Sequence, residues 1–165
     1  MRAIARILVA AGMTGALIGL AGCGLERDDT VDDMPTMSEA EVIRRVDQYA
    51  DQVAALVGGE HTPSKANSAP CTGRAGETDE RIRYVLGTYQ IPLAEEKHIE
   101  TLARVRDEWR AKGWTITDDR TLPDGVTGIL AAKTNSDDYS VRLVSTEPPT
   151  ALALLIHSTC YRSAD

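Results

Sequence analysis

Val42, Val46, Tyr49, Val53 and Val57 recur at steps of four, three, four and four, the apolar stripe of one helix face. Ser38 stands just ahead of the stripe, and Glu41 follows it by three residues. Ser38-Glu39-Ala40-Glu41 therefore reads as a capping box, and Gly58-Gly59 as the stop. A second stripe, Leu102, Val105 and Trp109 with Ile99 beside it, predicts a helix over residues 94–112. Glu95 and Glu96 open that segment and Arg110 and Lys112 close it, which matches the helix dipole. Gly113 follows in the position of a left-handed cap. Both stripes read as core-facing.

Elsewhere the period changes to two. Residues 81–91 carry Ile82, Tyr84 and Leu86 on one parity and Val85, Tyr89 and Ile91 on the other. Apolar positions on both faces suit an inner strand. Short strands are predicted over 114–117, 126–133, 139–144 and from Leu152 to Cys160. Pro123-Asp124-Gly125, Asn135-Ser136-Asp137-Asp138 and Pro148-Pro149 punctuate them. Residues 59–80, rich in Pro, Ser, Gly and Thr, read as a long loop. The pattern predicts an α+β fold, two helices packed on one face of an antiparallel sheet of about five strands. No internal repeat is visible.

The first residues follow a different pattern. Arg2 and Arg6 precede an uncharged apolar run over 7–20, broken only by small residues and Thr14, and Ala21-Gly22 follow. These are the three parts of an export signal. The run is shorter than the roughly 20 apolar residues of a spanning helix, which weighs against an uncleaved anchor. Leu20-Ala21-Gly22-Cys23 resembles the lipobox of bacterial lipoproteins. The resemblance implies a diacylglyceryl group on the Cys23 sulfur, palmitate-type acyl chains and cleavage just before Cys23. It places the mature protein on the extracytoplasmic face of the cell membrane. The chain then divides into a lipoprotein signal peptide (1–22), a flexible acidic tether (23–37) and a single α+β domain (38–165). The tether carries Glu26, Arg27, Asp28, Asp29, Asp32 and Asp33 without apolar periodicity. Its aspartates lack the ligand spacing of an EF-hand.

Cleavage changes the charge. Basic residues fall from 18 to 16 with the loss of Arg2 and Arg6, against 25 acidic ones, so a net charge of -7 becomes -9. Such a domain does not bind nucleic acid through a general field, and anionic lipid repels it. Acyl chains must hold it at the membrane, and two or more do so stably. Phe is absent, and lysine occurs only at Lys65, Lys97, Lys112 and Lys133. That bias resembles small lipoproteins of actinomycetes. Residues 102–143, with Trp109, Gly113-Trp114, a short hairpin and Tyr139-Ser140-Val141, are similar to a pattern in uncharacterised lipoproteins of that group. The resemblance brings no activity with it.

With Cys23 acylated, Cys71 and Cys160 remain, and an even pair in an exported protein is most simply a disulfide. Two free thiols are the alternative, exposed to oxidation. Cys160 shares the parity of Leu152, Leu154 and Ile156, so an unbroken last strand would point it at the core face.

No motif names a chemistry. His61, His98 and His157 are scattered, which argues against a metal site. His98 edges the second stripe, and His61 has no catalytic partner nearby in the sequence. Gly-x-Ser-x-Gly and a glycine-rich phosphate loop are both missing. His157, Ser158, Thr159 and Cys160 are neighbours along a strand, where adjacent side chains point to opposite faces. Asp118-Asp119, Asp124 and Asp137-Asp138 read as solvated turn residues. The expectation is a protein that is not an enzyme, with no catalytic residue, cofactor or metal. It would be a membrane-anchored lipoprotein presenting a small interaction domain to an envelope protein or lipid. The alternative is a carrier of an apolar ligand, lipid or glycolipid, as in some mycobacterial lipoproteins whose sheet and helices enclose a cavity, and an exported enzyme ranks third. A large empty cavity between the layers favours the carrier, and a filled core favours the interaction domain.

Overall fold

The computed structural model describes residues 34–62, 66–73 and 76–164. The export signal, Cys23 and the tether as far as Asp33 lie outside the described residues. Helix α1 (Glu39–Val57) starts where the capping box places it. The Ser38 hydroxyl accepts from the Glu41 N–H at 3.3 Å. The Glu41 carboxylate turns instead to Arg45, one turn on, at 3.0 Å. Gly58, at φ 92°, ends the helix with its N–H on the Ala54 carbonyl. Val42, Val46, Val53 and Val57 are buried as the stripe requires, and Ala50 and Ala54 join them. Tyr49 does not; it sits half-buried at the stripe's edge. Replacing Ser38 by Ala removes one partner of the helix start and is expected to cost about 1 kcal/mol, read from chemical denaturation.

Helix α2 (His98–Ala111) begins later than the charge pattern suggests, after a 3-10 turn over Glu95–Lys97. His98 is fully buried, and both ring nitrogens are engaged. One lies 2.9 Å from the Ser145 hydroxyl and the other 3.2 Å from the Leu93 carbonyl. That arrangement satisfies a polar ring in a dry site.

The sheet has eight strands, not about five: β1 (Thr36–Met37), β2 (Asn67–Thr72), β3 (Thr78–Pro92), β4 (Thr115–Thr121), β5 (Gly128–Lys133), β6 (Ser140–Ser145), β7 (Ala151–His157) and β8 (Tyr161–Ser163). Their order is β1-β8-β3-β7-β6-β5-β4, with β2 on the other edge of β3. Every ladder is antiparallel except β1 with β8. β3 is the spine, pairing with β8 at Ile82 and Arg83 and with β7 from Leu86 to Pro92. The three unexpected strands each lack a hydrophobic signature. β2 reads Asn-Ser-Ala-Pro-Cys-Thr, and its Pro70 is tolerated because the strand is an edge. β1 is two residues long and takes the end of the stretch read as tether into the sheet. β8 resumes the line of β7 after a break.

That break corrects the expected position of Cys160. The last strand is not continuous: β7 stops at His157. Ser158 then bonds Val85 twice, donating its N–H to the Val85 carbonyl at 3.0 Å and accepting the Val85 N–H on its hydroxyl at 2.9 Å. After the interruption Tyr161, 1 % exposed, reaches the core, while Cys160 stays half-buried outside the core cluster. The disulfide between Cys71 and Cys160 forms all the same, with Cα atoms 6.3 Å apart. The Tyr161 hydroxyl is buried with no hydrogen-bond partner among the described residues. Tyr161→Phe is therefore expected to keep or raise the melting temperature, since it removes a desolvated and unpaired group. A loss above about 1 kcal/mol would mean that the hydroxyl has a partner after all.

Both helices cover one face. A Cβ on Gly87 would come within 2.5 Å of the Val46 side chain on α1, and one on Gly128 within 2.9 Å of Leu102 on α2. Gly87 lies in the row Ala132, Val141, Ile156, and Gly128 on the same parity of β5 as Ala132. Between these rows Tyr89, Leu154, Leu143 and Leu130 stand side by side, all buried. Trp109, Val105 and the α1 valines fill the space above them. A small cleft of about 60 Å³ lies between α2 and strands β4 and β5, against Leu102, Arg106 and Ile129. Larger concave regions of about 380 to 500 Å³ are lined by helix surfaces and loops.

Asp118 and Asp119 also need correcting. They are not in a turn, because β4 runs on to Thr121. They take opposite faces. Asp118 lies 3.4 Å from Arg120 and 3.8 Å from Arg142, and Asp119 lies 3.4 Å from Arg106 of α2. Asp124 does belong to a turn. Its carboxylate accepts from the Val126 and Thr127 N–H groups and the Thr127 hydroxyl, which holds it below the usual carboxylate range.

Candidate functional site

A groove of about 400 Å³ lies between α1, the α2–β4 connection and the β5–β6 turn. The turn is built by Thr134. Its N–H donates to the Tyr139 carbonyl, and its hydroxyl accepts from the Tyr139 N–H, both at 2.9 Å. The chain passes through Asp138 at φ 57°, a left-handed position that Asp tolerates better than most residues. Asn135 then donates to the Lys112 carbonyl at 3.2 Å, satisfying one of the orphan acceptors at the end of α2. The turn is thereby tied to the helix it faces.

Asp137, read from the sequence as a solvated turn residue, is half-buried at the centre of this arrangement. A single carboxylate oxygen, Oδ1, accepts from three hydroxyls: Tyr49 at 2.7 Å, Thr134 at 2.8 Å and Ser136 at 3.0 Å. Burial pushes the Tyr49 phenol above its ordinary pKa. Burial, and then the charge of Asp137, pushes Tyr139 up to about 12. Both phenols are therefore protonated at neutral pH, as the Tyr49 bond to a carboxylate requires.

The floor of the groove is aromatic. Tyr49 meets Trp114 edge-on, with centroids 5.7 Å apart, and lies 5.6 Å from Tyr139. Trp114 in turn leans on the buried Trp109 at 5.2 Å. Gln48 and Gln52 stand one turn apart on α1 along one wall, with Arg45 beyond them and Lys112 opposite. Among the described residues no hydrogen bond or ion pair engages the side chains of Gln48, Gln52 or Lys112. Arg45 keeps its bond to Glu41.

A second polar cluster surrounds His61. The sequence offered it no partner, but the turn after α1 folds it back on the helix. One ring nitrogen lies 2.9 Å from Asp51, and the ring stands edge-on to Tyr89, whose hydroxyl donates to Asp47 at 2.7 Å. His157 is exposed and stacks on Tyr84 with centroids 4.3 Å apart. The three histidines thus lie in three separate places. Among the described residues no group of three or more His, Cys, Asp or Glu has the geometry to hold a metal ion. No helix there is long and apolar enough to cross a membrane. Of the residues singled out in the sequence, Cys71 and Cys160 are joined, and Cys23 lies outside the described residues.

Comparison with family models, with curated proteins and with solved structures finds no match for this chain.

Proposed function

We propose that this protein is a lipoprotein held by acyl chains on Cys23 at the extracytoplasmic face of the cell membrane, where its α+β domain serves as a binding module. The reading of Cys23 rests on the lipobox-like Leu20-Ala21-Gly22-Cys23 and the export signal before it. The observation that carries the choice of module over carrier is the filled interior. Trp109, Leu130, Leu143, Leu152, Leu154 and Ile156 are all fully buried where a ligand chamber would have to be. A lipid or glycolipid carrier needs apolar volume between its layers. Here the domain's own core side chains take up the space between the layers, and the cleft of about 60 Å³ between α2 and the sheet is too small for a lipid chain. The domain's acidity, with a pI of about 5.0 for the whole chain, supports a partner other than nucleic acid.

Expression of Cys23→Ala beside the wild type in a lipoprotein-processing bacterium, with membrane fractionation and mass spectrometry of the first tryptic peptide, tests the anchor. The expected result is a diacylated or triacylated Cys23 in the wild type, and release from the membrane or an uncleaved precursor in the variant. A wild-type protein cleaved before Cys23 but unmodified overturns the reading.

A further inference from the structure

We infer that the groove between α1 and the β5–β6 turn is a saccharide site, and that it takes a short saccharide bearing a carboxylate. The inference rests on the reading of the domain as a binding module and names the ligand class of that module. Four features lead to it. First, at about 400 Å³ the groove falls in the range of small-ligand sites, and it is open along its length rather than a closed pit. Second, its lining includes the half-buried Tyr49 ring, with Trp114, 8 % exposed, edge-on behind it. A sugar's C–H face packs on such a surface, and its hydroxyls need polar partners around the edge.

Third, those partners are present in a suitable form. Gln48 and Gln52 lie along one wall, and each amide presents a donor and an acceptor side by side. Two adjacent sugar hydroxyls present the complementary pair. A helical spacing of four residues sets the amides about 6 Å apart, so both reach along one bound chain. Fourth, the charge favours an anion at one end. The groove's carboxylate, Asp137, is already bonded by three hydroxyls. Lys112 lines the same groove with no acidic partner among the described residues, and Arg45, paired with Glu41, lines the α1 wall. Gln48, Gln52 and Lys112 are exposed around the groove, so an apolar ligand would gain nothing from them. A neutral sugar would leave the ammonium unused.

The test uses the mature lipidated protein in detergent micelles. Probes are trigalacturonic acid, maltotriose and triglutamate, read by tryptophan fluorescence and by NMR shifts of the Trp114 indole N–H. The expected result is saturable binding of trigalacturonic acid, with maltotriose weaker by about threefold to fivefold, the size of one lost surface ion pair to Lys112. Lys112→Glu should weaken the acidic sugar by about tenfold and lower the melting temperature only slightly, since it reverses one exposed charge at the C-terminal end of α2. Gln48→Ala with Gln52→Ala should weaken both sugars.

Triglutamate binding as tightly as the sugar acid would make the groove a peptide site and overturn the proposal. So would undiminished binding by Lys112→Glu, or no saturable change with any sugar. A fatty-acid probe taken up at one site per protein in the same sample would instead overturn the binding-module reading. Absence of both sugar and fatty-acid binding removes the saccharide proposal alone.

Discussion

Changing Cys71 and Cys160 together to serine is expected to cost the domain about 4–5 kcal/mol, the chain-entropy value for a closed loop near a hundred residues. The two cysteines are 89 positions apart. The loop they close contains β3 to β7 and α2, which is most of the folded chain. It also fastens two weak places. β2 is an edge strand without an apolar stripe, and its ladder with β3 shifts register between Pro70 and Thr72. β8 is three residues long and follows the interruption at Ser158. β2 has little apolar burial of its own, and β8 is anchored chiefly by Tyr161. Domains of this size have a total stability of about 5–15 kcal/mol, so the loss would bring the domain close to unfolding. Denaturant titration of the oxidised wild type and the double variant gives the difference directly. Unchanged stability, together with partner binding that depends on redox potential, would make the pair a switch instead of a staple.

The helices and the central strands were legible because each carries its own periodicity. The α1 stripe, the Ser38 cap, Gly58 and the Trp109 stripe all fall where spacing puts them, although the Glu41 half of the capping box goes to Arg45 instead. Tyr49 is the exception: helical spacing assigns it to the core, but its hydroxyl needs a polar partner, and the chain supplies Asp137 at the stripe's edge. β2 and β1 were not legible, since edge pairing is made by backbone groups and needs no apolar alternation. Cys160 was misplaced because parity survives only while a strand is unbroken, and Ser158 breaks it. The groove was beyond sequence reasoning. Tyr49 and Asp137 are 88 positions apart, and each had a sufficient local explanation, as stripe residue and turn residue. His61 is different. Asp51 lies only 10 positions before it, and a chain that turns back at Gly58-Gly59 brings the two together. That turn was the available signal.

The second large effect expected is at Trp109. Trp109→Ala should cost about 3–5 kcal/mol, the usual range for deleting a buried aromatic residue. The side chain is fully buried and central to the cluster between α2 and the sheet. Its indole N–H has no hydrogen-bond partner among the described residues, so the loss is one of packing alone. Trp109→Phe separates these terms. It keeps part of the ring volume and discards only an unpaired donor, so its cost should be clearly smaller than that of Ala. The substitution also reaches the groove. Trp114 leans on Trp109 at 5.2 Å and supports the edge of Tyr49, which fixes the hydroxyl on Asp137. In Trp109→Phe the domain stays folded while Trp114, now the sole tryptophan, loses that support. A changed emission maximum of Trp114, with Tyr49→Phe producing a similar change in the same background, is the expected result. A loss for Trp109→Ala below about 1 kcal/mol, or an unmoved Trp114 signal in Trp109→Phe, would uncouple the core from the groove.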